Sequence, residues 1–258
     1  MLKFFKPVRG HRGYFSYITE SIWDMQNVQL NYPNEEFKLY YDLTNIDGYG
    51  SKNIYETCFV QDENDYLQNI NEYTNIELIP PLSSLRSYES NTLTEENIKM
   101  CESIIKEKLI LNDEMKQLFD SRHPQIDFTK TIGFHRRATD MSVVHHLATI
   151  DISTIFDILE KEEFENVFLM SDNLTDLNKF KQRYGNKLIT FDELTTSNVE
   201  EYPFFNLKND EESIKKHIQE IVFGAYTLGM TKKLICTRSN LSTFSILTNS
   251  KLNFTRLN

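Results

Sequence analysis

The sequence predicts an α/β fold built on parallel sheets, and three observations support this class. From about residue 121 onward, short apolar segments alternate with segments whose apolar residues recur at helical spacing. Such alternation is typical of strands in a parallel sheet covered by helices. The chain has 258 residues, enough for one large or two small domains. Because 40% of these residues are hydrophobic, the chain can bury a core and is not disordered.

The first forty residues predict a strand, a glycine loop, a helix and a second strand. An apolar opening ends at the segment Gly10-His11-Arg12-Gly13, where glycine permits a turn. Residues 14–27 then show helical spacing, and residues 37–41 are strand-like. Residues 48–97 are rich in Asn, Glu, Ser and Tyr and predict short strands with long connections.

A helix is predicted to begin near Thr94, where Thr-x-x-Asn resembles a capping box. Its apolar side continues to Leu118, either as one helix or as two helices separated near Asn112. The rest of the chain predicts a Rossmann-like lobe of alternating strands and helices. These elements are strands 129–135, 166–170, 187–190 and 232–236 and helices 153–162, 174–184, 211–228 and 241–248.

We therefore predict two lobes, residues 1–120 and residues 121–258, of which the second is the clearer. An excess of 38 acidic over 28 basic residues gives a net charge of −10, which disfavours nucleic acid or anionic lipid as a partner. The sequence contains neither a secretory core nor an apolar stretch of about 18 residues, which predicts a soluble, cytoplasmic protein with no membrane span. The three cysteines lack metal-ligand spacing and are expected to be reduced.

Ligands of open α/β sheets bind beyond the carboxyl ends of the strands, and three predicted strand ends are polar. The first end carries His135, Arg137 and Asp140 within six residues. Guanidinium groups suit phosphate oxygens, so this end is a candidate anion site. The alternative interpretation is an Arg–Asp ion pair in a solvated turn.

The other two strand ends each precede a predicted helix. Ser171 and Asp172 follow the second strand, and either residue is also a candidate helix cap. Thr237, Ser239 and Asn240 follow the last predicted strand, where the N-terminus of a helix attracts phosphate. A capping role is again the alternative.

Together the three strand ends resemble the motifs of GDP-fucose-dependent fucosyltransferases of GT-B fold, particularly the alpha-1,6 and nodulation types. The resemblance covers about half of the chain, from Thr131 to Thr248. It implies a GT-B-like protein with two Rossmann-like lobes and parallel sheets. It also implies that Arg137 is the principal diphosphate ligand and that His135 contacts guanine. Further donor contacts are implied for Asp172, Thr237, Ser239 and Asn240.

The sequence departs from the family pattern at several positions. Ala138 stands where the alpha-1,6 type has a second arginine. The position of a guanine-binding aspartate aligns near Gly224, which leaves Glu220 as a stand-in one turn earlier. The position of the proposed catalytic carboxylate falls on His145.

His145 is nevertheless a sensible candidate base. An imidazole with a pKa near 6.5 accepts a hydroxyl proton at neutral pH. The resemblance then implies that Asp140 orients Arg137 or His145. Alternatively, His145 and His146 edge a loop or pack with Leu147.

The N-terminal lobe is expected to supply the acceptor side. Gly10 and Gly13 permit close approach of the backbone, and Tyr14 offers a flat surface for a sugar ring. The competing interpretation places Tyr14 and Tyr17 in the core side of a helix.

The resemblance and these residues predict a metal-independent, inverting glycosyltransferase that transfers fucose from GDP-fucose to a glycan hydroxyl. It would need no cofactor beyond its donor substrate and would bind neither nucleic acid nor a metal ion. The alternative is a catalytically inactive module of the same fold that binds a sugar nucleotide or a glycan. A P-loop or dinucleotide protein is disfavoured, since the sequence has neither glycine motif.

Overall fold

The chain forms two compact units in a computed structural model. The first unit comprises Met1–Gln117 with Leu247–Ser250, and the second comprises Leu118–Ile246 with Lys251–Asn258. The acceptor and donor roles assigned to the two lobes stay predictions. The structure describes residues 1–6, 13–44, 52–61, 68–79, 93–137, 150–191 and 210–257.

The first unit contains a three-stranded parallel sheet with strand order β2-β1-β3. Helix α1 lies between β1 and β2 in sequence, as the spacing of apolar residues predicts. Its residues Ile18, Ile22 and Met25 are fully buried, which places one face of the helix in the core. The elements up to residue 122 are β1 (Leu2–Lys6), α1 (Tyr14–Asn31), β2 (Phe37–Tyr41), β3 (Thr74–Asn75), α2 (Glu95–Lys108) and α3 (Asp113–Arg122).

Of the two alternatives for this segment, the structure has two helices separated near Asn112. Helix α2 starts after Thr94, whose hydroxyl accepts a hydrogen bond from the Asn97 amide at 3.2 Å. Helix α3 starts after Asn112, whose side-chain oxygen accepts from the Met115 amide at 3.0 Å. Each short polar side chain satisfies a backbone N–H that has no partner within its own helix.

A buried lysine at the carboxyl end of β1 is surrounded by carboxylates. Lys6 is only 2% exposed, and its Nζ lies 2.6 Å from Asp24, 3.2 Å from Glu77 and 3.8 Å from Glu20. Burial alone would lower the pKa of Lys6, but the three carboxylates outweigh it and raise the pKa. Burial, together with Glu20 and Glu77, raises the pKa of Asp24. A single ammonium group, that of Lys6, therefore interacts with three carboxylates.

The second unit contains a five-stranded parallel sheet with strand order β6-β5-β4-β7-β8. The alternation of strands and helices predicted from about residue 121 is confirmed. Its elements are β4 (Thr131–Arg136), α4 (Ile152–Leu159), β5 (Asn166–Ser171), α5 (Leu174–Tyr184), β6 (Leu188–Ile189), α6 (Glu211–Met230), β7 (Lys233–Thr237), α7 (Asn240–Leu247) and β8 (Asn253–Leu257).

Side chains of β4 alternate between the two faces of this sheet, and each face packs against different helices. Phe134 stacks on Phe180 of α5, with ring centroids 5.3 Å apart, and belongs to an apolar cluster on that side. Gly133 faces α6, where an added Cβ would lie 2.7 Å from the Thr231 hydroxyl oxygen. Glycine at this position therefore lets the helix end approach the strand closely.

Strand β8 was not predicted from the sequence. It pairs with β7 from Asn253 opposite Lys233 to Leu257 opposite Thr237. Its sequence Asn-Phe-Thr-Arg-Leu lacks a sustained apolar alternation, which is the signal by which short strands are recognised. Pairing with a neighbouring strand, rather than its own pattern, makes this segment a strand.

Candidate functional site

The three polar strand ends lie side by side at one edge of the second sheet. Strand β4 pairs in parallel with β5 on one side and with β7 on the other. The register places His135 opposite Met170 of β5 and Cys236 of β7. Because all three strands run in the same direction, the residues that follow them emerge at the same carboxyl edge. The sequence prediction required this arrangement.

Alternation along β4 directs neighbouring side chains to opposite faces. His135 lies on the face of α6 and α7, where its Nδ1 is 3.5 Å from the Ser239 hydroxyl oxygen. Arg136 lies on the face of α5, where its Nε is 3.2 Å from a carboxylate oxygen of Asp176. Arg136 and Asp176 are both buried, so this pair joins the strand end to the start of α5.

His135 is a neutral imidazole. Burial, reinforced by the nearby Arg137 cation, lowers its pKa to about 3. A neutral imidazole has one N–H donor and one acceptor nitrogen, so it can recognise a ligand by hydrogen bonding but carries no charge.

Arg137 is held at the junction of β4 and β7. Its backbone N–H donates a hydrogen bond to the Thr237 hydroxyl at 3.0 Å, and the residue is half-buried. This bond uses only main-chain atoms of Arg137, so the position of its backbone does not depend on the guanidinium. Thr237 thereby fixes the point from which the Arg137 side chain departs.

The N-terminus of α7 is closed by reciprocal hydrogen bonds. The Ser242 amide donates to the Ser239 hydroxyl at 3.0 Å, and the Ser239 amide donates to the Ser242 hydroxyl at 3.1 Å. The Ser242 hydroxyl also donates to the Thr237 carbonyl at 2.9 Å. Ser239 therefore acts as a helix cap, as the alternative interpretation proposed, and Asn240 is the first residue of α7.

The second strand end is also capped, by a residue that the sequence prediction did not choose. Asn173 is the cap of α5, and its side-chain oxygen accepts from the Asp176 amide at 3.0 Å. Ser171 accepts from the Asn173 amide at 3.2 Å, and Asp172 is half-buried between them in sequence. The capping role therefore does not fall on Asp172, whose donor-binding role stays a prediction.

Glu220 has a cationic partner within the second unit. Its two carboxylate oxygens lie 2.8 and 2.9 Å from Nη1 of Arg122, and the Glu220 side chain is almost fully buried. The Arg122 guanidinium lies over the rings of Phe191 and Phe223, at 4.5 and 5.4 Å from their centroids. This ion pair gives Glu220 a structural role, and a contact of Glu220 with guanine stays a prediction.

Gly224, one turn further along α6, packs against Met170, the β5 residue that is paired with His135. A Cβ at Gly224 would lie 2.1 Å from the sulfur of Met170, the residue paired with His135 in the sheet. The Met170 thioether thus fills the space that a side chain at position 224 would need. No carboxylate can be accommodated at Gly224 while Met170 keeps this position.

The predicted N-terminal site residues are only partly described. Gly13 precedes α1 as its cap residue, without a side-chain hydrogen bond, and Tyr14 is 1% exposed at the first position of the helix. The burial of Tyr14 supports the helix-core interpretation, and an acceptor contact stays a prediction. Gly10, Asp140 and His145 lie outside the described residues.

Two residues of this region were missed by sequence reasoning. Arg256 of β8 donates through Nη2 to the Thr243 hydroxyl of α7 at 2.9 Å. Thr243 belongs to the third polar segment, but Arg256 belongs to the strand that the sequence pattern did not predict. The sequence signal that could have revealed Arg256 is its position after the last helix of a βα series, where a further strand is expected.

Within the described ranges, no group of three or more His, Cys, Asp and Glu side chains is arranged to hold a metal ion. None of the helices in the described part of the chain combines the length and apolar character of a membrane span. Cys58, Cys101 and Cys236 are buried and form no disulfide.

The fold and its strand-end site define a class of protein. Two parallel sheets with helices, one of three and one of five strands, confirm the predicted GT-B-like α/β class. A scan of protein-family models and a search of curated proteins both found no match.

Solved structures of fucosyltransferases share this fold. The NodZ alpha-1,6-fucosyltransferase soaked with GDP-fucose matches with a TM-score of 0.58 and 12% identity over 96% of this chain and 93% of that chain. POFUT1 in complex with GDP matches with a TM-score of 0.51 and 8% identity over 99% and 98% of the two chains. A mutant of Arabidopsis thaliana FUT1 in complex with GDP matches with a TM-score of 0.51 and 9% identity over 99% and 70%. The resemblance seen in the sequence is thus confirmed at the level of the fold.

Proposed function

We propose that the protein is a glycosyltransferase that transfers a fucosyl group from GDP-fucose to a hydroxyl of a glycan. The observation that carries this proposal is the convergence of His135, Arg137 and Ser239 at one carboxyl edge of the second sheet. The proposal is supported by the fold shared with structures that contain GDP or GDP-fucose.

The proposed donor site divides recognition between a neutral and a charged part. His135 contacts the guanine base through a neutral imidazole, which forms hydrogen bonds without repelling the arginines nearby. Arg137 and the N-terminus of α7 contact the diphosphate, since a guanidinium and exposed backbone N–H groups both favour phosphate oxygens. Asp172, Thr237 and Asn240 complete the polar rim of this site.

The proposed reaction inverts the anomeric carbon. An acceptor oxygen forms a bond to C1 of the sugar while the bond from C1 to the β-phosphate oxygen breaks and its electron pair leaves with GDP. The hydroxyl proton passes to His145, and Asp140 orients either His145 or Arg137. Arg137 and α7 stabilise the charge that develops on the leaving phosphate, the role a divalent ion would have in a metal-dependent enzyme.

The acceptor wall is assigned to the first unit. Gly10 and Gly13 border the acceptor, where glycine permits close approach of the backbone, and Tyr14 is the candidate surface for a sugar ring. A glycan hydroxyl is the proposed acceptor, as the resemblance to GDP-fucose-dependent fucosyltransferases implies, and a cytoplasmic location stays a prediction.

The donor is tested by thermal unfolding of the full chain with GDP, UDP and NAD added separately. We expect GDP alone to raise the melting temperature, because a ligand at 100 times its Kd stabilises the folded state by about 2.7 kcal/mol. Stabilisation by UDP or NAD and not by GDP would refute the donor assignment.

Transfer is then measured with GDP-fucose and a panel of glycans. Binding of GDP without transfer and without release of fucose to water, together with unchanged GDP affinity in His145→Ala, would favour the inactive binding module over the enzyme. Loss of transfer in His145→Ala with unchanged GDP affinity supports the enzyme, since a base acts on the acceptor proton rather than on the nucleotide.

A further inference from the structure

A half-buried arginine on β8 has hydroxyl and cationic neighbours but no carboxylate among the described residues. Nη2 of Arg256 donates to the Thr243 hydroxyl at 2.9 Å, and Nε of Arg256 is buried without a hydrogen-bond partner in the described part of the chain. The ionisable neighbours of Arg256 there are the guanidinium of Arg238 and the thiol of Cys236, which is neutral at pH 7 because burial raises its pKa to about 11. Burial and Arg238 both lower the pKa of Arg256, because each disfavours its charged form.

Arg256 is connected by hydrogen bonds to the helix end that is proposed to bind diphosphate. The Thr243 hydroxyl accepts from Arg256 and donates to the Ser239 carbonyl at 2.8 Å. The Ser239 carbonyl also accepts the Thr243 amide at 2.9 Å, as in the first turn of a helix. Arg256 therefore braces Ser239 through a single intervening side chain, and β8 is connected to the start of α7.

Among the described residues, no carboxylate compensates the charge of Arg256. A partly buried guanidinium gains stability from an opposite charge, and leaving one without a carboxylate is costly. Arg238 adds a second positive charge directly before Ser239 in the chain. A diphosphate at the N-terminus of α7 would supply the negative charge that the described residues around Arg256 lack.

We propose that Arg256 is a positioning residue for the diphosphate site: through Thr243 it holds Ser239 in place, and its positive charge is balanced by the phosphate groups of the bound nucleotide. This inference rests on the proposed function, because it assigns the ligand at α7 as the diphosphate of GDP. It does not require Arg256 to touch the phosphate.

The test compares the binding of GDP, inorganic pyrophosphate and guanosine by calorimetry in the full chain. We expect Arg256→Gln to weaken GDP and pyrophosphate about tenfold, as for the loss of a charge-assisted hydrogen bond. Thr243→Val, which removes the hydroxyl between Arg256 and Ser239, is expected to weaken both about fivefold. Thr243→Ser keeps the hydroxyl and is expected to bind like the wild type.

Guanosine separates this role from a general structural one. Since guanosine carries no phosphate, we expect its affinity to change less than about twofold in Arg256→Gln and Thr243→Val. Arg183→Gln is the matched control, because Arg183 is an exposed arginine of the same unit paired with Glu160. If Arg256→Gln does not fold, Thr243→Val and Thr243→Ser decide the question.

The outcomes distinguish the inference from the function on which it rests. The role of Arg256 is overturned if the wild type binds GDP and both Arg256→Gln and Thr243→Val bind it with the same affinity. It is also overturned if these variants lose affinity for guanosine as much as for GDP. Wild-type binding of pyrophosphate but not of GDP overturns the proposed donor, and the pyrophosphate series still decides the role of Arg256. Absence of binding to both GDP and pyrophosphate overturns both proposals.

Discussion

Each unit has a poorly exposed cation near the carboxyl end of a parallel strand, and the two cations have opposite surroundings. Lys6 at the end of β1 is close to Asp24, Glu77 and Glu20. Arg256 near the end of β8 has a hydroxyl, a thiol and another arginine as neighbours among the described residues. Lys6 is neutralised more than fully by its own chain, whereas Arg256 has no described carboxylate to neutralise it.

The difference separates a cation that holds the fold together from one that, in our proposal, prepares a ligand site. A buried lysine with carboxylates in contact has its charge compensated before any ligand arrives. A guanidinium beside hydroxyls and a helix N-terminus keeps its positive potential for an anion. We therefore expect changes at Lys6 to affect stability and changes near Arg256 to affect anion binding. The following predictions test this contrast, from the largest expected effect to the smallest.

Lys6→Met is expected to lower the free energy of unfolding by about 3–5 kcal/mol at pH 7.5, because it leaves three partly buried carboxylates without their buried cation. The loss should shrink as the pH falls, since burial raises the pKa of Asp24 and protonation of Asp24 removes one of the repelling charges. Urea unfolding at several pH values measures both effects. Lys99→Met, which removes an exposed cation paired with Glu95, is the control and should change little. A stable Lys6→Met variant would show that the comparison is wrong for the first unit.

Arg137→Ala is expected to raise the activation free energy of transfer by about 3–4 kcal/mol, the usual loss when one donor to a developing charge is removed. The protein should remain folded, since the hydrogen bond from the Arg137 backbone to Thr237 is kept when the side chain is removed. Arg183→Ala serves as the exposed control. Transfer at the wild-type rate in Arg137→Ala would refute the assignment of the diphosphate site.

Gly224→Ala tests whether Met170, which is paired with His135 in the sheet, fills the space at position 224. The added Cβ would lie 2.1 Å from the Met170 sulfur, so Met170 must move, and overpacking of this kind costs about 1–3 kcal/mol. Alanine gains about 1 kcal/mol over glycine in a helix, which leaves a net loss of up to about 2 kcal/mol. In the Met170→Ala background the same substitution should stabilise the protein, because the obstacle is gone. Urea unfolding of the four proteins in this cycle gives the result. Additive effects would show that Met170 does not limit position 224.

The pH dependence of stability tests the neutral state of His135. The pKa of His135 in the folded chain is lowered to about 3, below the usual value near 6.5. Between these pH values the unfolded chain therefore binds a proton at His135 and the folded chain does not. This contribution to stability is complete above about pH 6.5 and is lost as the pH falls towards 3. We expect a loss of less than about 1 kcal/mol at pH 6. His135→Gln should show a shallower decline than the wild type between pH 6.5 and pH 4, and equal slopes would contradict the assignment.

The sequence predicted those parts of the fold that have a local signal. Helix α1 and the helices of the second unit follow from the 3.6-residue spacing of their apolar side chains. Strands β4, β5 and β7 follow from apolar runs that end in polar residues, and the rule for parallel sheets predicted that these ends meet. The break at Asn112 was one of two alternatives, and the structure shows its cause, since the Asn112 side chain caps the second helix.

Parts of the site had no local signal. Neither the spacing nor the composition around Glu220 indicates that Arg122 is its partner, since 98 positions separate the two residues. The contact of Gly224 with Met170 joins a helix to a strand that is distant in sequence. Strand β8, and with it Arg256, depends on pairing with β7 and not on its own pattern.

By itself, the amino-acid sequence determined the class of fold, the order of strands and helices in the second unit as far as α7, and which polar residues follow β4, β5 and β7. Periodicity and capping preferences act over a few residues, so a linear pattern is enough to reveal them. Only the tertiary structure decided which face each side chain occupies and which charges are compensated. Lys6 meets its carboxylates, and Arg256 meets Thr243, through contacts between segments brought together by folding. Burial and neighbouring charges, which set the pKa values and the electrostatic potential of the site, exist only once those segments have packed.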